Sequence, residues 1–497
     1  DSPFEDEYVV TEGIVSADFQ AESLGGFFVQ DRKGDGDKMT SDGVFVRHKA
    51  SWSYDVSVGD HVRFEGKVVE YYGQTQMESI YSGDLIYCGT GTINPTKPPL
   101  KHYSKYTEAY EGMLVRFPRH YEVTDTYGLK YGEIWLSRRG VVETPTNQFR
   151  PGSRAAERFA NRNISTSFMI DVGGFSDVLD SADDTLRLGA RTRNVIGAVG
   201  FSFGDYGVVP VHEVVFTSRN PRPGMPDVEG DLIVGSYNVL NFWTTLGGRG
   251  AEDSGQYDAQ LSKLVDAMMG MDADILALQE IENNDATIMA LRDALNTAEG
   301  ADVWAWVGPA PQNDYPIRNE ILYRSDVVDQ IGLPMTLADP AFDTIRPGDD
   351  PGEEIGRRPL AQLFEYDGER FTIVVNHFKS KGSPCDSIGD PDAGDGQGNC
   401  NLTRVRQAEV VLDFVDDLIA EHGEPDVLVV GDLNAYLKED PVKTLEGGLE
   451  NLVTEYDSDP YSYNFFAMFA APWIGRGLLD HAFGTESMAD QVEEVMV

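Results

Sequence analysis

The sequence predicts an α/β layered domain placed behind two small β-barrels. Three observations point to it. Short strand-like runs with turn residues between them fill the chain up to Asn220. A break, Asn220–Glu229 (NPRPGMPDVE), carries three prolines and no apolar period. Beyond it, strand-like and helix-like segments alternate to the end.

The first barrel is expected over residues 1–95, from YVVTEGIVSADF, GGFFVQD, GVFVRH, HVRFEGKVVEYYGQTQM and LIYCGT. A Pro- and Gly-containing linker runs from Gly89 to Leu100. The second barrel is expected over 96–220, from EGMLVRFPRHYEVTD, GEIWLS, RNVIGAVGFSFGDYGVVPV and EVVFTS, with a polar helical stretch near Ala155–Asn161. The α/β domain is expected over 228–497. Its strands are DLIVGSYNVLNF, ADILALQEIE, NEILYRS, FTIVVNHFKS and DVLVVGDLNAY. Tyr257–Met271 and Asp285–Leu295 have helical spacing, and Thr403 is placed to N-cap a helix running to Leu418–Ile419.

A length of 497 residues suits two to four domains of roughly 100–200 residues each. Apolar residues at 41% are enough for real cores, so a wholly disordered chain is excluded. No run approaches 18 apolar residues, so no membrane-spanning helix is expected. No basic-then-apolar leader opens the chain at Asp1, so any signal peptide is expected to have been removed. The net charge of −43 excludes a protein that coats DNA electrostatically. It leaves open an enzyme that meets a polyanion through metal ions. An acidic excess of this size fits a salty exterior, where screening shortens self-repulsion. A marine or halophilic secreted protein and a merely acidic soluble one both satisfy it.

Three cysteines leave an odd thiol. Cys385 and Cys400 bracket a Gly- and Asp-rich loop (CDSIGDPDAGDGQGNC). A disulfide closing it would contribute roughly 3 kcal/mol in the chain-entropy description. Two free thiols are the other reading. Cys88 remains over.

Polar residues at the ends of the apolar strands carry the chemistry. Asn238 ends GSYN, Glu280 ends DILALQE, His377 ends VVNH, and Asp432 and Asn434 end VVGDLN. Asp480 and His481 sit in GLLDHAF. Such residues emerge where loops gather at the strand ends of open α/β sheets. A hard cation such as Mg²⁺ takes oxygen ligands and few carboxylates, which Glu280, Asp432 and Asn238 offer. A neutral histidine can take a proton or hold a phosphate oxygen. Arg357 or Arg358 can clamp a phosphate with paired N–H groups. Each signal taken singly has a structural reading: an Asp after a strand as a turn or cap, Asn238 as an Asx turn, His481 as a core hydrogen-bonder. The ordered set is what favours a site.

That ordered set, in SYNVLNFW, LALQEIEN, ILYRSD, RRPLAQLF, VVNHFKSKG, CNLTRVRQAEVV, VVGDLNAY and LLDHAF, resembles the endonuclease/exonuclease/phosphatase superfamily, which includes the pancreatic-type deoxyribonucleases. The wording is closest to large secreted bacterial nucleases. EGIVSADFQ, GGFFVQD and GDGD resemble the OB-like barrel that precedes their catalytic domain. The resemblance implies a four-layer α/β sandwich of two packed β-sheets flanked by helices. It implies a secreted nuclease that hydrolyses phosphodiester bonds of extracellular DNA with Mg²⁺ or Mn²⁺, acts as a monomer and needs no membrane. By motif, Glu280 is implied as the main metal ligand, with Asn238 and Asp432 completing metal or phosphate contacts. Asn434 would orient a phosphate oxygen and His377 would contact or protonate the scissile phosphate. Arg357 matches the R-x-P step, with Arg358 one residue away. Asp480 would orient the general-base histidine.

The chain departs from the family in two places. The family closes with a Ser-Asp-His-x-Pro-Val strand, whereas this sequence ends in QVEEVMV, so the expectation is that more chain follows Val497. His481 belongs to the earlier Leu-Asp-His step. The acid that pairs with the first catalytic histidine has no clear match in YPIRNEILYR. A phosphoesterase for lipid or sugar phosphates, and a catalytically impaired binding protein, are the competing functions. Asp31–Asp37 and Asp386–Asp395 offer oxygens for a structural Ca²⁺, though the first reads better as a tight turn. Phe27, Phe28, Tyr71 and Tyr72 are candidates for stacking on bases.

Overall fold

Alternation of apolar and polar residues along Asp60–Tyr71 makes it a strand with one buried face, while Tyr8–Phe19 is buried continuously from Gly13 to Ala17. In the computed structural model these pair antiparallel from Tyr8↔Lys67 to Ile14↔His61. Gly26–Gln30, Gly43–Arg47 and Gln74–Glu78 join them in a barrel-like sheet, with Ile86–Thr90 added beside Asp60–Tyr71. The structure describes residues 2–21, 24–47, 55–78, 85–172, 186–202, 204–221, 224–225, 227–343, 356–465 and 475–497. Phe203 of the second barrel and residues 222, 223 and 226 of the proline-rich break lie outside them.

The chain forms two compact units. The first holds residues 1–144, 157–222 and 464–476; the second holds 145–156, 223–463 and 477–497. A simple succession of domains was expected, but segments 145–156 and 464–476 each belong with the unit that is distant in sequence. Neither stretch, PTNQFRPGSRAA or NFFAMFAAPWIGR, carries a motif that marks such an exchange.

In the first unit, Val15, Phe27, Val46, Val62, Phe64 and Met77 fill the first barrel. Phe28 turns outward and packs with Phe19 and Phe45 against Ala198 and Val209 of the second barrel. Phe27 and Phe28 are therefore fully buried, which removes them as base-stacking candidates, whereas Tyr71 and Tyr72 are 46% and 80% exposed. The second barrel is closed, formed by Leu114–Asp125, Glu133–Ser137, Ser167–Asp171, Arg191–Ser202 and Asp205–Pro210. Phe117 stacks on Phe168 at 4.2 Å in its core. EVVFTS, expected as a strand, makes only an isolated bridge from Thr217 to Arg191.

In the second unit, one sheet has the order Val234–Phe242, Ile275–Glu282, Ile317–Arg324, Trp304–Trp306. The other runs Asp329–Thr336, Leu360–Tyr366, Glu369–His377, Val427–Asp432, Asp480–Gly484, Glu450–Asn451. Alternation sorts the side chains. Ile275, Ala277 and Ile321 share one apolar cluster with Ile373, Val375 and Val430 of the other sheet. Leu276 and Leu278 instead pack with Leu264 and Met268 of helix Ser254–Met271 and with Ile288 and Leu291 of helix Asp285–Glu299. Val374 and Val429 pack with Ala408, Val411, Val415 and Leu418 of helix Asn401–His422. The unit is thus mixed α/β, with helices and two sheets as expected.

Helix Asn401–His422 starts earlier than its sequence suggests. Cys400, in the left-handed region at φ 64°, stands at the N-cap position in place of Thr403. The N–H groups of Leu402 and Thr403 are taken by the Asp390 carboxylate, so the cap comes from the preceding loop. Cys385 and Cys400 are joined as a disulfide that closes that loop, and Cys88 is an exposed free thiol. Among the described residues, no helix is long and apolar enough to cross a membrane.

Candidate active site

Neighbouring strand ends bring the polar residues together. His377 stands opposite Asp432 in the parallel pairing of their strands, and Asp432 stands opposite Asp480 in the antiparallel one. Three strand ends therefore put His377, Asp432 and Asp480 in a row. Gly431 has φ 131°, and a Cβ there would sit 2.0 Å from the Asn376 carbonyl oxygen, so only glycine lets the strand deliver Asp432 here.

In the other sheet, both partner strands lose register at the site, between Asn238 and Phe242 and between Leu278 and Ile281. Leu240, Asn241 and Glu280 all have positive φ, at 55°, 50° and 67°. Such bulges re-aim side chains and cluster at functional sites. Here the bulge frees the Glu280 carboxylate, and Oε2 accepts the Asn241 backbone N–H at 2.8 Å.

Asn238 joins the two sheets' contributions. Its Nδ2 donates to Glu280 Oε1 at 3.2 Å and to Asp432 Oδ2 at 3.1 Å. Its Oδ1 accepts the Leu240 N–H at 3.0 Å, the Asx turn anticipated from sequence. In this orientation Asn238 aligns the two carboxylates through its nitrogen, rather than presenting its oxygen beside theirs as a ligand. His377 Nε2 lies 3.6 Å from Asp432 Oδ2 and 3.9 Å from Glu280 Oε1, beyond hydrogen-bond range. Its Nδ1 is buried with no hydrogen-bond partner. Burial, aided by the positive charges of Arg357 and Lys379, pushes the imidazole well below its usual range, so it is neutral. Burial and the charges of Asp480 and Glu280 push Asp432 up to about 8. Asp480 is raised by burial and by Glu280, against the opposing effect of Ser462.

The two adjacent arginines separate. Arg357 is buried, its Nη2 donates to the Phe378 carbonyl at 2.9 Å, and its guanidinium lies 5.4 Å from the Tyr315 ring. Burial lowers its pKa, opposed by Tyr315, Glu280 and Asp432. Arg358 instead forms a two-bond pair with Asp343 at 2.9 and 2.8 Å. Asn434 sends its Nδ2 to the same Phe378 carbonyl at 3.1 Å, and its backbone N–H to Asp432 Oδ1 at 2.8 Å.

His481 does not join this group. Strand alternation turns it to the face opposite Asp480, where it is buried, stacks on Phe483 and bonds through Nε2 to the Ala435 carbonyl at 2.8 Å. Burial lowers it to about 4. Its inclusion among the catalytic candidates is corrected to a core histidine. Glu320, the carboxylate in the segment where a histidine partner was sought, is also engaged elsewhere. It is buried, accepts the Trp306 indole N–H at 2.7 Å and pairs with Arg318. Tyr315, beside Arg357, was not singled out from sequence; a tyrosine ahead of a strand has no signature separating it from ordinary packing.

Among the described residues, no group of three or more His, Cys, Asp and Glu side chains is arranged to hold a metal ion. Glu280 and Asp432 nonetheless offer oxygens that share one amide donor. Two carboxylates, with water and substrate oxygens completing the shell, is the set a Mg²⁺ ion takes. The residues fit such an ion.

The sequence pattern of the Endonuclease/Exonuclease/phosphatase family matches residues 235–497, more than half of the chain. No curated protein matches it. Similar solved structures include the human Nocturnin catalytic domain with bound sulfate anion, at 15% identity and TM-score 0.34, covering 51% of this chain and 83% of that one. An endonuclease/exonuclease/phosphatase family protein from Bacteroides thetaiotaomicron is 18% identical with TM-score 0.35, covering 52% and 83%. A mannosyl-6-phosphatase from the same organism is 16% identical with TM-score 0.36, covering 52% and 86%.

Proposed function

The chain belongs to the Endonuclease/Exonuclease/phosphatase family, whose members are hydrolytic phosphoesterases, and from that premise we propose a secreted, metal-dependent nuclease that hydrolyses phosphodiester bonds of extracellular DNA. The catalytic unit is taken as a four-layer sandwich, the barrels ahead of it as OB-like, and the working form as a monomer. The observation that carries the reading is the convergence of Asn238, Glu280, Arg357, His377, Asp432, Asn434 and Asp480 on strand ends of both sheets. The Cys385–Cys400 disulfide supports an oxidising compartment outside the cell.

Glu280 and Asp432 would hold the cation, Mg²⁺ or Mn²⁺. When bound, it supplies charge relief at the phosphoryl oxygens and lowers the pKa of a coordinated water. The chain's own residues do the positioning. Arg357 points a fixed guanidinium at the phosphate position. His377, kept neutral, donates a hydrogen bond from Nε2–H to a phosphate oxygen. Asn434 fixes Asp432 through its main-chain N–H. In such transfers positioning and electrostatics supply most of the rate.

Incubation of the full chain with plasmid DNA and Mg²⁺ should degrade the plasmid, and a chelator should stop it. Glu280→Gln should lower the rate at least about 100-fold while the far-ultraviolet spectrum is kept. Full activity in Glu280→Gln would remove the metal assignment. Turnover of sugar or lipid phosphates with plasmid left intact would replace the nuclease reading with another phosphoesterase.

A further inference from the structure

The segment that carries His377 leaves the sheet immediately after it. The Phe378 N–H still bonds to the Asp432 carbonyl at 2.9 Å, the last backbone bond of that pairing. Lys379 follows, and both its backbone groups are met by side chains of one helix. Gln407 Oε1 accepts the Lys379 N–H at 2.9 Å, and Arg404 Nη1 donates to the Lys379 carbonyl at 3.1 Å. Arg404 and Gln407 lie one turn apart on helix Asn401–His422, and both are fully buried.

Each side chain is anchored on its far side as well. Arg404 donates to the carbonyls of Asn399 at 2.7 Å and Gln397 at 2.9 Å, within the disulfide-closed loop. Gln407 Nε2 donates to the Ala341 carbonyl at 3.0 Å. A buried guanidinium facing three carbonyls is a costly way to hold a loop alone, because its charge has been taken out of water. What it also holds is the strand exit. The carbonyl of Phe378, between the two fixed residues, is the acceptor for both Arg357 and Asn434.

We propose that Arg404 and Gln407 are positioning residues that clamp the main chain of Lys379, and thereby set where His377, Arg357 and Asn434 stand against Glu280 and Asp432. The clamp rests on the catalytic reading above for its consequence, though not for its geometry. Lysine in place of Arg404 keeps the charge but offers a single ammonium where a planar fork now serves three carbonyls. Methionine in place of Gln407 keeps the volume and removes the acceptor for the Lys379 N–H.

The test uses the full chain as wild type, Arg404→Lys and Gln407→Met. Two readouts are taken: His377 ring chemical shifts at fixed pH, assigned against His377→Ala, and steady-state hydrolysis of a plasmid and of bis(p-nitrophenyl) phosphate with Mg²⁺. The expected result is a shifted His377 signal in both variants. With it, kcat should fall about 10- to 100-fold while KM changes less than about 3-fold, since a displacement near 1 Å costs up to about 10²-fold. A purely structural role would lower the folded fraction and leave His377 signals and the kcat of the folded fraction where they are; that outcome overturns the clamp. If one variant does not fold, the other decides by the same two readouts. A wild-type chain that cleaves neither substrate would defeat the proposed activity, and the His377 signals would still decide the clamp.

Discussion

Replacing Asn238 by Asp keeps the shape of the side chain and reverses what it does. The Nδ2 that donates to Glu280 at 3.2 Å and to Asp432 at 3.1 Å becomes an oxygen facing the Glu280 carboxylate and an Asp432 that, raised to about 8, keeps most of its proton at pH 7. At an effective dielectric constant of about 20, the contact with Glu280 between full charges would cost about 5 kcal/mol. Taking up a proton is cheaper. Protonating an aspartate of ordinary pKa about 3.9 at pH 7 costs about 4 kcal/mol, so protonation wins and caps the penalty. In a metal-free buffer at pH 7, Asn238→Asp should therefore lose up to about 4 kcal/mol, somewhat less because Asn238 is only half-buried. The loss should shrink as the pH falls, to about 1.5 kcal/mol at pH 5, because proton uptake there costs that much less. With millimolar Mg²⁺ the gap should narrow, because the cation supplies the charge that the amide hydrogens supplied. Urea unfolding at pH 7 and pH 5, with chelator and with Mg²⁺, measures all of this. A variant as stable as wild type in chelator would refute the bridging role of Asn238. A gap that Mg²⁺ leaves unchanged would refute cation binding by Glu280 and Asp432.

Replacing both Cys385 and Cys400 by Ser should cost roughly 3 kcal/mol by urea unfolding, as expected for a crosslink 15 residues apart. Phe117→Ala should cost about 3–5 kcal/mol, since Phe117 is 1% exposed and stacked on Phe168, and the loss should appear in thermal unfolding. Glu111 is raised to about 7, chiefly by burial, so the folded chain keeps its proton where the unfolded chain has lost it. Its contribution to stability is fully present below about pH 4.5 and is lost as pH rises through 7. Glu111→Gln should accordingly gain on wild type between pH 4 and pH 8, and parallel stability–pH curves for the two would contradict this.

Much of the site was legible because its residues sit at the ends of apolar runs, and a short continuous apolar run bounded by turn residues is the signal a fully buried strand leaves. Glu280, His377 and Asp432 could be placed on adjoining strand ends on that ground. What sequence did not settle depends on single-residue geometry. One position along the strand separates Asp480, beside Asp432, from His481, in the core with Phe483. The choice between Arg357 and Arg358 turned on which could reach Phe378 and which met Asp343. The bulge at Glu280 has no residue signature, since glutamate does not favour positive φ. Thr403 looked like a helix cap, and Asp390, some dozen residues earlier, caps the helix instead by accepting the N–H groups of Leu402 and Thr403 from within a closed loop. Arg404 and Gln407 were in view within CNLTRVRQAEVV without a role, because their partners are main-chain atoms, which carry no identity in sequence.

The charges around the site tie substrate binding to the cation. Glu280, Asp432 and Asp480 stand beside a neutral His377 and the positive charges of Arg357 and Lys379, so the three acidic groups outnumber the two cations. Burial first, and the charges of Asp480 and Glu280 after it, hold Asp432 raised. A phosphate brought alongside adds negative charge of the same sign. Arg357 can offset part of it, but the group would still lie near carboxylates whose repulsion is unrelieved. A divalent ion held by Glu280 and Asp432 removes that repulsion and attracts the phosphate as well. The two affinities are therefore linked: phosphate should bind more tightly with Mg²⁺ present, and by reciprocity Mg²⁺ more tightly with phosphate present, by the same factor of at least about 10. Calorimetric titration of inorganic phosphate into the full chain, with and without Mg²⁺, reads this directly. Equal phosphate affinity in both buffers would mean that the anion docks away from the carboxylates, and the strand-end cluster would no longer explain phosphoester binding.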